Sequence, residues 1–185
     1  MFRTKNFLFL LSFLFLTVAS FAEEPIVVKE LLGQIDYVEG KLTQLAEAMP
    51  EDTYNWRPME GVRSVGEVYL HVAFSNYLWV SLGGGKVPVD AGFVPDFSKR
   101  TEWDTQTTDK KEIIDKMKES FNVLKDYVKN LSADDLNKEV EFFGNKTSLR
   151  NFLVSGIGHL HEHLGQSIAY SRMNKVVPPW SKNEG

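Results

Sequence analysis

The stretch SVGEVYLHVAFSNYLWVSLGGG, residues 64–85, decides the architecture. Ser64 and Glu67 stand three apart ahead of an apolar run, the pattern of a capping box in which side chain and backbone satisfy each other's polar groups at a helix start. Val68, His71, Ser75, Leu78 and Leu82 then recur at three and four, which predicts a helix with one buried face, and Gly83-Gly84-Gly85 stops it. A histidine in the middle of that face is the first residue with chemistry to explain.

Upstream, residues 51–63 with Trp56, Pro58 and Gly61 form a connection. Before it, Val28, Leu31, Leu32, Ile35, Val38, Leu42, Leu45 and Met49 make another helical stripe between Pro25 and Pro50. Downstream, residues 84–107 carry Pro88, Gly92 and Pro95 and show no helical period. Extended at about 3.3 Å per residue, that segment can span a bundle of helices about 30 Å long, so it is read as a crossover that allows its flanking helices to run parallel.

A third long helix opens near Thr108 and carries Ile113, Ile114, Met117, Phe121, Leu124, Val128 and Leu131, its other side alternating Lys with Glu or Asp as a solvated face. Ser132 to Leu136 reads as a capped turn. Lys138 to Lys146 reads as a short extended excursion turning at Gly144-Asn145. A fourth helix runs from Thr147 or Ser148 to about Met173, and the tail Val176-Val177-Pro178-Pro179-Trp180 is expected to be non-helical. The fold class predicted is all-α, a four-helix bundle with a long connection between helices two and three.

The 185 residues, 43% of them apolar, have room for one domain. Met1 to Ala22 differs from the rest: Arg3 and Lys5 precede the apolar run Phe7 to Leu16, and Ser20-Phe21-Ala22 is a small-x-small cleavage pattern. Residues 1–22 are therefore read as a signal peptide, 23–185 as the mature bundle, and the protein as exported, periplasmic or secreted, with no membrane span left after cleavage. Cleavage leaves 19 basic against 25 acidic residues, a mildly acidic balance without the Lys and Arg patch that nucleic acid requires. With no cysteine, the fold rests on its core, and thiolate chemistry by the protein itself is excluded.

The four histidines are His71, His159, His161 and His163. His159 and His163, four apart, share a helix face, whereas His161 is turned by about 200° and points elsewhere. An i, i+4 pair chelates at two points and needs a third ligand from another element, which His71 on the inner face of its helix can supply. Gly156 and Gly158, costly inside a helix, fit a close approach near such a site. The plainer reading makes His71 a hydrogen-bonded core residue and the pair an accident of a polar face. Serine-hydrolase and phosphate-loop chemistry find no motif here: there is no Gly-x-Ser-x-Gly, and Gly83-Gly84-Gly85-Lys86 lacks the rest of a phosphate loop.

Trp56-Arg57-Pro58, the segment Ser64 to His71, His159-Leu160-His161-Glu162-His163-Leu164-Gly165-Gln166 and Val177-Pro178-Pro179 together make the chain resemble the DinB-like superfamily of four-helix bundles, over nearly all of residues 23–185. The resemblance implies a three-histidine site at His71, His159 and His163 for a divalent ion, zinc, nickel or iron, with copper also acceptable to such donors. Leu164 stands where that family often has Arg. The resemblance implies a metal-dependent transferase acting on thiols or an isomerase using one; a metal-dependent hydrolase of a small substrate is a further reading, and a non-catalytic metal-binding or stress-associated bundle is the alternative. Glu67, Gln166 and Tyr170 are candidates for supporting roles around the ligands, Glu67 also as the helix cap. A small-molecule substrate and a homodimer are the partners consistent with this reading.

Overall fold

A computed structural model of the chain describes residues 25–181. The signal peptide expected at residues 1–22 and its cleavage point lie outside the described residues. Four long helices form the body: α1 (Ile26–Ala48), α2 (Val65–Leu82), α4 (Lys110–Lys129) and α6 (Leu149–Met173), with two short helices between them, α3 (Arg100–Asp104) and α5 (Ala133–Leu136). A two-stranded antiparallel ribbon, β1 (Glu139–Phe142) and β2 (Asn145–Ser148), precedes α6. Among the described residues no helix is long and apolar enough to cross a membrane.

Side-chain contacts fix the directions. Along α2 and α4 they advance together: Asn76 donates to Ser120 at 3.0 Å, and the Tyr127 hydroxyl donates to the Gly83 carbonyl at 2.6 Å. Against α1 the order reverses, with Lys118 on Glu47 and Lys125 on Glu39. So α2 and α4 are parallel and α1 opposes α4, and residues 83–109 must cross the length of the bundle, as their number allows. Lys110 closes the corner by donating to the carbonyls of Glu47 and Met49 at the end of α1.

The expected stripes are buried on α1 (Val28, Leu31, Ile35, Val38, Leu42, Leu45) and α4 (Ile113, Ile114, Met117, Phe121, Leu124, Val128). The single-face expectation for α2 is corrected: 15 of its 18 residues are buried, and Leu82 is only half-buried. This helix is enclosed by α4, α6 and α3 at once, which is the setting of a helix apolar all round. Its capping box is present, Glu67 N–H donating to Ser64 Oγ at 3.3 Å and Ser64 N–H to the Glu67 carboxylate at 2.9 Å.

Three further expectations change. The crossover is not wholly irregular. It contains α3, pinned by the Trp103 indole donating to the Leu70 carbonyl at 3.0 Å and by a cluster of Trp103 with Phe74, Tyr77 and Phe93. The ribbon turns at Phe143-Gly144, one residue earlier than expected, both with positive φ (49° and 74°), because Phe142 pairs with Asn145. The tail includes one 3-10 turn, Pro179–Ser181, where the Lys41 ammonium sits 4.1 Å from the Trp180 ring centre.

The two glycines of α6 separate. A Cβ on Gly156 would lie 2.9 Å from the Trp79 ring, so this glycine does permit a close approach; around Gly158 nothing lies within 4 Å. Gly158→Ala is expected to raise stability by up to about 1 kcal/mol from helix propensity alone. Gly156→Ala meets an indole wedged against Phe142 and Phe152, and overpacking of roughly 1–3 kcal/mol offsets that gain. Denaturant midpoints of the two variants should move in opposite directions.

Candidate metal centre

His71 on α2 and His159 and His163 on α6 meet where these antiparallel helices cross. Each offers one ring nitrogen to a group whose members lie within 4.8 Å of one another, the one such group of acidic, histidine or cysteine side chains among the described residues. Ring centres are 4.4 Å apart for His159 and His163, 4.8 Å for His71 and His163, and 5.3 Å for His71 and His159. His161 points away, its Nε2 3.2 Å from Gln34 on α1 and its ring tilted on Tyr37. The i, i+4 arithmetic separates them as expected.

Polar neighbours distinguish the two nitrogens of the His163 and His71 rings. His163 Nδ1 is 2.9 Å from Gln166 Oε1; the Gln166 amide donates to the Tyr170 hydroxyl at 3.0 Å, which in turn donates to the Arg63 carbonyl at 3.2 Å. This chain fixes Nδ1 as the protonated nitrogen and leaves Nε2 free as a donor of electrons. His71 Nδ1 faces Asp104 Oδ2 at 3.5 Å, too long for a full hydrogen bond, and it is buried without another partner among the described residues. The Ser75 hydroxyl is turned to the point where the remaining nitrogens converge, 3.1 Å from His159 Nε2 and 3.5 Å from His71 Nε2.

Of the expected supporting residues, Gln166 and Tyr170 stand behind His163. Glu67 does not join them: its carboxylate is taken by the cap and by Arg57 at 2.6 Å. Asp104, Arg63 and Ser75 were not singled out in the sequence as site residues. Asp104 arrives on α3 from the crossover, where no periodicity marks it, and the Arg63 guanidinium holds its Oδ2 at 2.7 Å.

Burial drives the imidazoles toward the neutral form. It pushes His159 down to about 3 and His163 down to about 4, the neighbouring histidines adding to both, and it lowers His71 against the opposing pull of Asp104. Neutral imidazole is the ligating form. The unfolded chain takes up these protons near pH 6.5 whereas the folded chain refuses them until about pH 4 and below. Folding therefore binds fewer protons than unfolding within that window, and stability is expected to fall as pH drops from 6.5 toward 4 and to have no histidine slope above it. Urea midpoints of the metal-free protein at pH 7 and pH 5 check this, with His159→Gln expected to flatten the difference.

The donor set fits a divalent ion. Nitrogens held by zinc at about 2.0–2.1 Å stand roughly 3.3 Å apart in a tetrahedral shell, so rotations closing at most about 1.5 Å bring the three into place.

The DinB superfamily model matches residues 34–167. Among solved structures, the chain is similar to a DinB-like protein from Bacillus cereus at TM-score 0.69 and 18% identity, covering 82% of this chain and 95% of that one. It is also similar to a DinB-like protein from Bacillus subtilis at TM-score 0.60 and 19% identity, covering 79% and 92%. At such identities these structures speak for the fold. No curated protein matches the chain.

Proposed function

The chain belongs to the DinB superfamily, and from that premise and the histidine geometry we propose that it holds a divalent ion on His71, His159 and His163 and uses it to activate water or a small thiol. The observation that carries this reading is the count of donors: three imidazoles gather, and no fourth ligand-type side chain joins their group among the described residues. Three protein ligands with an open position are the pattern of catalytic rather than structural sites. Zinc, nickel or iron in that place supplies a Lewis acid that lowers the pKa of the water or thiol it holds.

The protein's own part is positioning. Gln166, backed by Tyr170, holds the His163 ring in one tautomer, while Asp104, anchored by Arg63, faces His71 Nδ1 at 3.5 Å. The Ser75 hydroxyl stands beside the open side as a hydrogen-bond partner for whatever enters. Trp79, packed on Phe152 and within 6.4 Å of the His159 ring centre, limits water on one flank.

Elemental analysis of the protein purified from its native compartment tests the metal: about one zinc, nickel or iron per chain is expected, and a metal-free protein that fails to bind any of them overturns the proposal. The loaded protein, offered a small thiol with an electrophile or a small ester, then separates transferase from hydrolase. Failure on both, with a full metal site, favours the non-catalytic alternative. Export belongs to the same proposal and rests on Arg3, Lys5, the apolar run and Ser20-Phe21-Ala22. Intact mass of the natively exported protein is expected to begin at Glu23, and a retained Met1 would rule out cleavage.

A further inference from the structure

On the outer side of the histidine cluster lies a cleft of about 490 Å³, a size ordinary for small-molecule sites. Asp104 and Gln166 form part of its wall, so the groups beside His71 Nδ1 and His163 Nδ1 also face the cleft. Three guanidinium groups line it, those of Arg57, Arg63 and Arg100, against two carboxylates, Glu67 and Asp104.

The pairing within the cleft is uneven. Arg57 is spent on Glu67 and on the Val62 carbonyl, and Arg63 on Asp104. Arg100 Nε is shut off from solvent and has no hydrogen-bond partner among the described residues. A guanidinium donor removed from water and left unpaired is costly, and the acceptor of a molecule seated in the cleft would relieve it. The excess charge, one positive before any ion is counted, and the planar fork of Arg select the same chemistry, an oxyanion. A divalent ion held by the histidines would add to that field.

We propose that this cleft binds the oxyanion group, carboxylate or phosphate, of a small molecule, with Arg100 as its principal donor and Arg57 at the rim. The inference goes beyond the metal-centre reading and does not rest on it: no histidine lines this cleft, which meets the imidazoles only through Asp104 and Gln166 on their Nδ1 edges, away from the nitrogens that converge at Ser75. Ligand binding itself needs only the arginines.

The test titrates inorganic phosphate and, separately, malonate into the mature protein, metal-loaded and chelator-treated, by calorimetry, with the metal content of every sample measured. Saturable binding of at least one anion is expected, weakened roughly tenfold or more by Arg100→Gln, less by Arg57→Gln, and weaker at higher salt. Phosphate alone or malonate alone identifies the group, and both together keep the wider class. Absence of saturable binding up to about 10 mM, or binding that neither Arg100→Gln nor Arg57→Gln weakens, overturns the inference. Should Arg100→Gln fail to fold, a loss of affinity in Arg57→Gln supports it and unchanged affinity overturns it. Arginine-dependent anion binding by a protein that takes up no metal leaves the cleft standing and removes the metal reading. A full metal site without anion binding does the reverse.

Discussion

His163→Ala is expected to weaken metal binding by more than about a hundredfold while melting, metal-free, within about 5 °C of the parent. Loss of a supporting hydrogen-bond partner already costs a metal site roughly 10- to 100-fold, and this substitution removes a ligand itself. It leaves only His71 and His159, on different helices, and the Gln166 and Tyr170 chain with nothing to orient. The fold has little to lose. Metal linked to the native state adds RT ln(1 + [L]/Kd), about 2.7 kcal/mol at a hundredfold excess over Kd, and that contribution vanishes from both proteins in chelator. What remains is a bundle whose fully buried side chains come from α1, α2, α4 and α6 and, between α1 and α2, from Met49 and Tyr54, unlike a small domain folded by its ion. Melting curves of parent and variant, each with and without chelator, provide the check. A chelator-induced collapse of the parent that His163→Ala reproduces would mean that the ion holds the fold, and the enzymatic reading would fail.

Phe121→Ala is the complementary case, with an expected loss of about 3–5 kcal/mol. Phe121 is fully buried in the middle of α4, a helix that contributes no ligand, between the Ser120 that accepts from Asn76 and the Leu124 turn facing α1. For a chain of this length the melting temperature should fall by roughly 10 °C or more. The metal affinity of the folded fraction should stay at the parent value, because α2 and α6 hold all three histidines. A loss below about 1 kcal/mol in denaturant unfolding would show that the packing at the centre of the bundle is not as described.

The four long helices were legible because their buried stripes repeat at 3.6 residues and their ends carry local signals: Ser64 with Glu67, Pro50, the three glycines after Leu82. Such signals act over one turn of chain, and a sequence states them directly. The parting of His161 from His159 and His163 was legible for the same reason, since it follows from helical rotation alone. The α2 face was misread because burial depends on how many neighbours surround a helix, and a capping box says nothing of neighbours. Gly156 and Gly158 look alike in the sequence, yet only Gly156 has the Trp79 ring against it.

What the sequence determined by itself is thus the set of local elements, their caps and the phase of each histidine on its helix, all consequences of steric and hydrogen-bond rules acting between residues a few positions apart. What only the tertiary structure decided is which of those phases meet. The crossing of α2 and α6 puts His71 beside a pair some 90 positions away, and the crossover, pinned by Trp103 on the Leu70 carbonyl, delivers Asp104 behind His71 and Arg100 to the cleft. The reason is that packing selects partners by shape and burial across the whole core. A carboxylate five residues past Lys99 carries no mark of the imidazole it will face until the chain has closed around it.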